Sequence, residues 1–216
     1  MKTKNYPATM RAWAFSTAGV PEQVLSLNSS FPTPAEPEGS EVLVQISHAA
    51  LSFPRKNFME GVPSALRRNA VPEVDFSGRV VAVGVDVSEK FAPGAAVFGT
   101  VSKYGSIVSG HGTLADYILI NADCIAVKPS NASFAEASCL SVLGQVAMES
   151  IRHAQVKQGD RILVNGGNDA VGTAVVQIAK DLGAHVVVIC SGTKADIMKS
   201  LDVDEVNALI PVVLLL

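Results

Sequence analysis

The sequence predicts an α/β protein with a β-rich N-terminal part: a partly open β-barrel, then an incomplete, parallel, doubly wound sheet. Three observations carry this. From Met10 to Val127 short apolar runs alternate with turn signals. After Lys128-Pro129 strand and helix patterns alternate instead. In that second part, Arg161-Ile162-Leu163-Val164, a glycine-rich turn, a helical stripe and His185-Val186-Val187-Val188-Ile189 follow one another, a βαβ unit of about 30 residues. The boundary is therefore expected near residue 130, giving domains 1–130 and 131–216.

The elements follow in order. Met10–Phe15 and Val24–Leu27 read as strands flanking the turn Gly19-Val20-Pro21-Glu22. Phe31–Ser40 carries three prolines, which remove amide donors and fix φ, so it reads as a connection. Glu41–Ser47 alternates apolar with polar; Phe76–Gly84, Ala95–Gly99, Thr113–Ile120 and Cys124–Val127 complete the barrel strands. Ser133-Phe134-Ala135-Glu136 is a capping box, S-x-x-E, opening a helix expected to run to about His153. The stripe Val171, Ala174, Val175, Ile178, Ala179, Leu182 marks one face of a second helix, closed by Gly183.

Composition limits the function classes. With 48% hydrophobic and 17% charged residues in 216, a substantial core is available. A net charge of −3 gives no reason to expect nucleic acid or an anionic membrane as partner. The three cysteines, Cys124, Cys139 and Cys190, are far apart and odd in number, which suits reduced thiols. The polar start, Met1–Pro7, lacks an apolar signal region, and the apolar run Leu209–Leu216 is far below the ~20 residues of a membrane helix. The expectation is a soluble, cytoplasmic protein.

The turn Asn165-Gly166-Gly167-Asn168-Asp169-Ala170-Val171-Gly172 is the strongest chemical signal. Glycines allow a sharp turn and close backbone approach, and the helix that follows offers unpaired N–H groups and partial positive charge to phosphates. Gly166, Gly167, Asn168, Asp169, Ala170, Val171 and Gly172 are the candidate cofactor-binding residues. In Gly167-x-Asp169-x-x-Gly172 the middle glycine of G-x-G-x-x-G is replaced by Asp169, which brings a Cβ and a negative charge to the place a pyrophosphate approaches.

Taken together, the chain resembles the medium-chain dehydrogenase/reductase superfamily, in particular its zinc-free, quinone-oxidoreductase-like branch. Pro72-Glu73-Val74-Asp75-Phe76-Ser77-Gly78-Arg79-Val80 resembles P-G-x-D-x-[AS]-G-x-V. Val83-Gly84 through Val97-Phe98-Gly99 resembles the run that follows it, and Gly112–Tyr117 resembles G-x-x-A-E-Y. Val171-Gly172-Thr173-Ala174-Val175-Val176-Gln177-Ile178-Ala179-Lys180 resembles V-G-x-x-A-x-Q-[IL]-A-K, and Lys199–Val206 resembles K-x-L-G-A-D-x-V. The likeness implies a GroES-like substrate domain followed by a Rossmann domain for NAD(P). It also implies hydride transfer to a quinone or an α,β-unsaturated carbonyl, a reaction used in specialised metabolism.

The resemblance also assigns site positions. At the three zinc-ligand positions of zinc-dependent members stand Ser52-Phe53-Pro54, Val74 and Leu140–Leu143, so no zinc is expected. The Asn and Tyr of zinc-free relatives match Phe53 and Phe58, which cannot donate a proton. Ser52, Lys56, Lys103 and Tyr104 are the substitute candidates for catalysis. At the end of the second Rossmann strand no acid precedes Asp196, whereas Ser191, Thr193 and Lys194 suit a 2′-phosphate. NADPH is thus favoured over NADH.

In the Rossmann part only two strands are convincing, and residues 207–216 read as at most one improvised strand. An exposed sheet edge would offer a route to an oligomer. Two readings stand side by side. One is an NADPH-dependent reductase of a small apolar carbonyl or quinone. The other is a truncated, catalytically inactive relative that serves as a binding or scaffold protein or has no function.

Overall fold

The computed structural model describes residues 6–52, 59–61, 69–101 and 110–209. Two compact units divide after Ser141. In the first, β3 (Glu41–Ala49) and β4 (Asp75–Val83) form the centre of a five-stranded antiparallel sheet. β5 (Ala96–Thr100), β6 (Tyr117–Asn121) and β7 (Ile125–Val127) complete it in the order β6-β3-β4-β5-β7. A separate antiparallel ribbon pairs β1 (Thr9–Ala14) with β2 (Ser26–Pro32), and the single-turn helix α1 (Pro21–Val24) lies between them in sequence. Strand alternation sends Val42, Val44, Phe76, Val80, Val97, Ile118 and Ile120 into one core. Leu43 faces the opposite way, with Met10 and Tyr117.

Two strands depart from the expected bounds. β2 runs on through Phe31-Pro32, inside the segment read as a connection, because the proline falls at the strand's end, where a missing donor is tolerated. β6 begins only at Tyr117. The backbone groups of residues 113–116 are taken elsewhere: Thr113 N–H donates to Pro72 O at 3.0 Å, Leu114 O accepts from Trp13 N–H at 2.8 Å, and Asp116 N–H donates to Arg11 O at 2.9 Å.

The linking helix is two helices. α2 (Phe134–Ser138) opens with the full capping box, Ser133 and Glu136 each satisfying the other's backbone N–H. It then tightens: Cys139 N–H reaches Glu136 O and Leu140 N–H reaches Ala137 O, bonds that span three residues and end the α-helical ladder. α3 (Ser141–His153) starts afresh. Ser77 Oγ–H donates to Phe134 O at 2.5 Å, tying α2 to the barrel unit, so the division falls beyond residue 130.

The second unit is a parallel three-stranded sheet. β8 (Arg161–Asn165) is followed by α4 (Ala170–Asp181), β9 (His185–Ser191), α5 (Ala195–Ser200) and β10 (Glu205–Leu209), and the strand order is β10-β9-β8. This is the 3-2-1 half of a doubly wound sheet. A third strand therefore stands where only two were convincing. A polar cluster at its start fixes it. Asp204 accepts from Val186 N–H at 2.6 Å and from Lys180 Nζ at 3.0 Å; Glu205 meets Arg161 at 3.0 Å and His185 Nε2 at 3.1 Å. The Val186 N–H bond, then Lys180, holds the Asp204 carboxyl below its ordinary value, and the His185 hydrogen bond, then Arg161, does the same for Glu205.

The stripe read in the sequence faces the core through Ala179, Val175 and Ile178, with the buried positions centred slightly to one side of it. Gly172, Val176 and Ala179 are buried against Val164, Val186 and Val188, while Leu182 is exposed. Gly183, at φ +81°, follows the cap residue Leu182 as expected. On the outer face of β8, Leu163 is 62% exposed. Among the described residues no helix is long and apolar enough to cross a membrane.

Candidate dinucleotide and substrate sites

The turn after β8 is fastened to β9. Gly166 takes φ +79°, open to glycine at little cost, and the N–H groups of Gly166 and Gly167 both point at Ile189 O, at 2.9 and 3.3 Å. A Cβ on Gly172 would run into Gly166 O and come within 2.8 Å of Gly167 Cα, so only glycine lets α4 sit this close. Asn168 is half-buried in the turn, and Asp169 and Ala170 are exposed.

Asp169 is the N-cap of α4, in extended backbone, and its Oδ1 accepts from Gly172 N–H at 2.6 Å. The carboxylate thus lies over the helix N-terminus and occupies one of the donors a phosphate would use. The N–H groups of Ala170 and Val171 keep no acceptor among the described residues. The residues present fit a pyrophosphate in part: close-packed glycine, two open donors, one donor spent.

At the end of β9, Ser191 Oγ lies 3.3 Å from Thr193 Oγ1 in a 3₁₀ turn, and Ser191, Thr193 and Lys194 are all exposed. Cys190, one residue earlier, is buried in the sheet core.

In the barrel unit Ser52 is exposed, three residues beyond the end of β3. Lys56, Lys103, Tyr104, Phe53 and Phe58 lie outside the described residues. Val74, at the position a zinc ligand would take, is buried, and no three His, Cys, Asp or Glu side chains converge among the described residues. A groove of about 330 Å³ beside Trp13, Leu27 and the Arg11–Asp116 ion pair holds none of the expected site residues.

Sequence reasoning passed over Glu73. It is only 4% exposed and its backbone φ is +68°, a left-handed conformation costing a non-glycine residue about 1–2 kcal/mol. Its Oε2 accepts from Ser52 Oγ–H at 2.9 Å and Ser52 N–H at 3.2 Å. The signal was present: Glu73 stands where the segment P-G-x-D has glycine, the residue that takes positive φ freely.

Residues 38–130 match the family described as the alcohol dehydrogenase GroES-like domain. The trans-enoyl reductase pgmF of Aspergillus terreus is 35% identical over 93% of this chain and 58% of its own length. The chloroplastic NADPH-dependent alkenal/one oxidoreductase of Arabidopsis thaliana is 32% identical over 92% of this chain and 52% of its own length. The quinone oxidoreductase of Coxiella burnetii superposes with a TM-score of 0.78 at 28% identity, covering 92% of this chain and 62% of that one. The chain belongs to the medium-chain dehydrogenase/reductase superfamily. Its GroES-like part precedes the first half of a Rossmann sheet, and the chain spans 58% and 52% of the lengths of the two curated superfamily relatives just described.

Proposed function

We propose that the chain is a zinc-independent reductase that uses NADPH to reduce the carbon–carbon double bond of an α,β-unsaturated carbonyl, or a quinone. The observation that carries this reading is the β8–turn–α4 junction, where Gly172 packs on Gly166 and the Ala170 and Val171 N–H groups stay open. That junction suits a pyrophosphate, and the relatives named as enoyl, alkenal/one and quinone reductases supply the substrate class. NADPH supplies the hydride. In this reading Gly166, Gly167, Asn168, Asp169, Ala170, Val171 and Gly172 hold the pyrophosphate, Ser191 and Lys194 take the 2′-phosphate, and the barrel, residues 1–130, carries the substrate.

A second reading, an inactive relative serving as a binding or scaffold protein, is favoured by one observation: Asp169 places a carboxylate over the helix terminus and occupies the Gly172 N–H. Loss of nicotinamide absorbance separates the two. With purified chain, oxidation of NADPH that depends on crotonaldehyde or on benzoquinone, faster than with NADH, is the expected result. No substrate-dependent oxidation with either cofactor overturns the reductase reading.

A further inference from the structure

Within the second unit, β8 stands at the sheet edge with the make-up of an interior strand. Its hydrogen bonds fix which backbone groups are open. Gly166 N–H donates to Ile189 O, and Asp160 O accepts from His185 N–H, so residues 160, 162, 164 and 166 face β9. The N–H and C=O groups of Arg161, Leu163 and Asn165 therefore point away from β9. No strand pairs with them among the described residues, and they have no hydrogen-bond partner there. The usual protections of an edge are missing from Arg161–Asn165. It holds no proline, glycine or lysine, and its register with β9 runs without a bulge. Its one charge, Arg161, is already met by Glu205 at 3.0 Å. The side chains of the same three residues are exposed on the outer face of the sheet.

We propose that β8 is the interface for a second copy of this chain: two β8 strands pair antiparallel about Leu163, joining two three-stranded sheets into one. A two-fold axis brings the same edge of both copies together and sets the strands antiparallel. A parallel pairing would require the copies to be offset, which does not close into a dimer. About Leu163 the edge is complementary to itself. Leu163 exchanges N–H and C=O with Leu163 of the second copy, and Arg161 exchanges both with Asn165 at either end, so every open donor meets an acceptor. Leu163, 62% exposed in one chain, packs against its own copy. Arg161 stands opposite the neutral Asn165, so no like charges face each other. The inference is independent of the reductase reading, since no cofactor or substrate enters it.

Sedimentation equilibrium of the full chain, from about 1 to about 100 μM, tests it. The chain is expected to be a monomer–dimer mixture with the dimer predominant at the upper concentration. Leu163→Lys puts two ammonium groups opposite each other at the axis. Leu163→Pro removes an N–H that faces the open edge and none that faces β9. Each is expected to weaken the dimer by about tenfold or more, with the far-UV circular dichroism of the parent chain. In a Cys139→Ser background, Leu163→Cys is expected to cross-link to itself under mild oxidation, because opposite Cα atoms in such a pair lie about 5.5 Å apart. Val146→Cys, exposed on α3, is the control. A chain that stays monomeric at about 100 μM overturns the proposal. So does a dimer that survives Leu163→Lys, or one that cross-links no faster through position 163 than through position 146. The lysine and cysteine variants decide the matter even where the proline variant does not fold.

Discussion

Asp169→Gly is the perturbation that most directly probes how the α4 terminus handles phosphate. The Asp169 carboxylate accepts from Gly172 N–H at 2.6 Å. Removing it returns that donor to the terminus beside the open Ala170 and Val171 N–H groups. A hydrogen bond to a charged group is worth about 1.5–3 kcal/mol, so affinity for NADPH should rise by about ten- to a hundredfold. The helix loses little. Replacing a capping side chain by glycine costs a few tenths of a kcal/mol, and the lost carboxylate–dipole interaction about 0.3–1 kcal/mol. Nicotinamide fluorescence reads the affinity, and urea unfolding reads the stability. Asp169→Asn keeps a capping acceptor without the charge, so it should fall between wild type and Asp169→Gly. An affinity unchanged within about twofold, or lower, in Asp169→Gly would show that the carboxylate is no obstacle to the phosphate.

Three other outcomes are expected. Gly172→Ala places a Cβ against the Gly166 backbone, which cannot give as a side chain can; a loss of about 1–3 kcal/mol in urea unfolding is expected, and a loss below about 0.5 kcal/mol would contradict the close packing. Lys194→Ala should weaken NADPH by roughly tenfold and leave NADH unchanged, read by parallel fluorescence titrations; equal losses for both cofactors would remove Lys194 from 2′-phosphate recognition. Asp204 and Glu205 have folded-state pKa values below their ordinary ones. Their contribution is therefore present above the unfolded-state carboxylate value and lost as pH falls through the folded-state values. Asp204→Asn should lower the thermal midpoint at neutral pH and flatten its decline in acid; a parallel acid profile would show that the carboxylate is not what responds.

What the sequence made legible follows from period. β8, α4 and β9 announce themselves because apolar runs and a helical stripe flank a glycine turn, and the barrel strands because they alternate. β10 does not, since Glu205-Val206-Asn207 carries no apolar period; its place is fixed by Asp204 and Glu205 reaching residues far away in sequence, Val186, Lys180, His185 and Arg161. The break between α2 and α3 leaves no mark either, because no glycine or proline interrupts Ser138-Cys139-Leu140-Ser141 where the backbone tightens. The apolar stripe of α4 finds the core through Val175, Ile178 and Ala179, whereas the Gly172–Gly166 approach is a backbone contact that apolar spacing does not show.

The sites divide along the same line. Asp169 was visible as a departure from a glycine pattern, but its role as a cap needed the 2.6 Å bond to Gly172 N–H. Glu73 was visible as another substitution for glycine, whereas its hydrogen bond to Ser52, 21 residues away, was not.

A working nicotinamide site on this half-sheet has a direct consequence in solution. Titration of the purified chain with NADPH, followed by nicotinamide fluorescence with NADH alongside, should give a saturable rise at NADPH concentrations below about a millimolar, tighter than for NADH. A flat response to millimolar NADPH would contradict it.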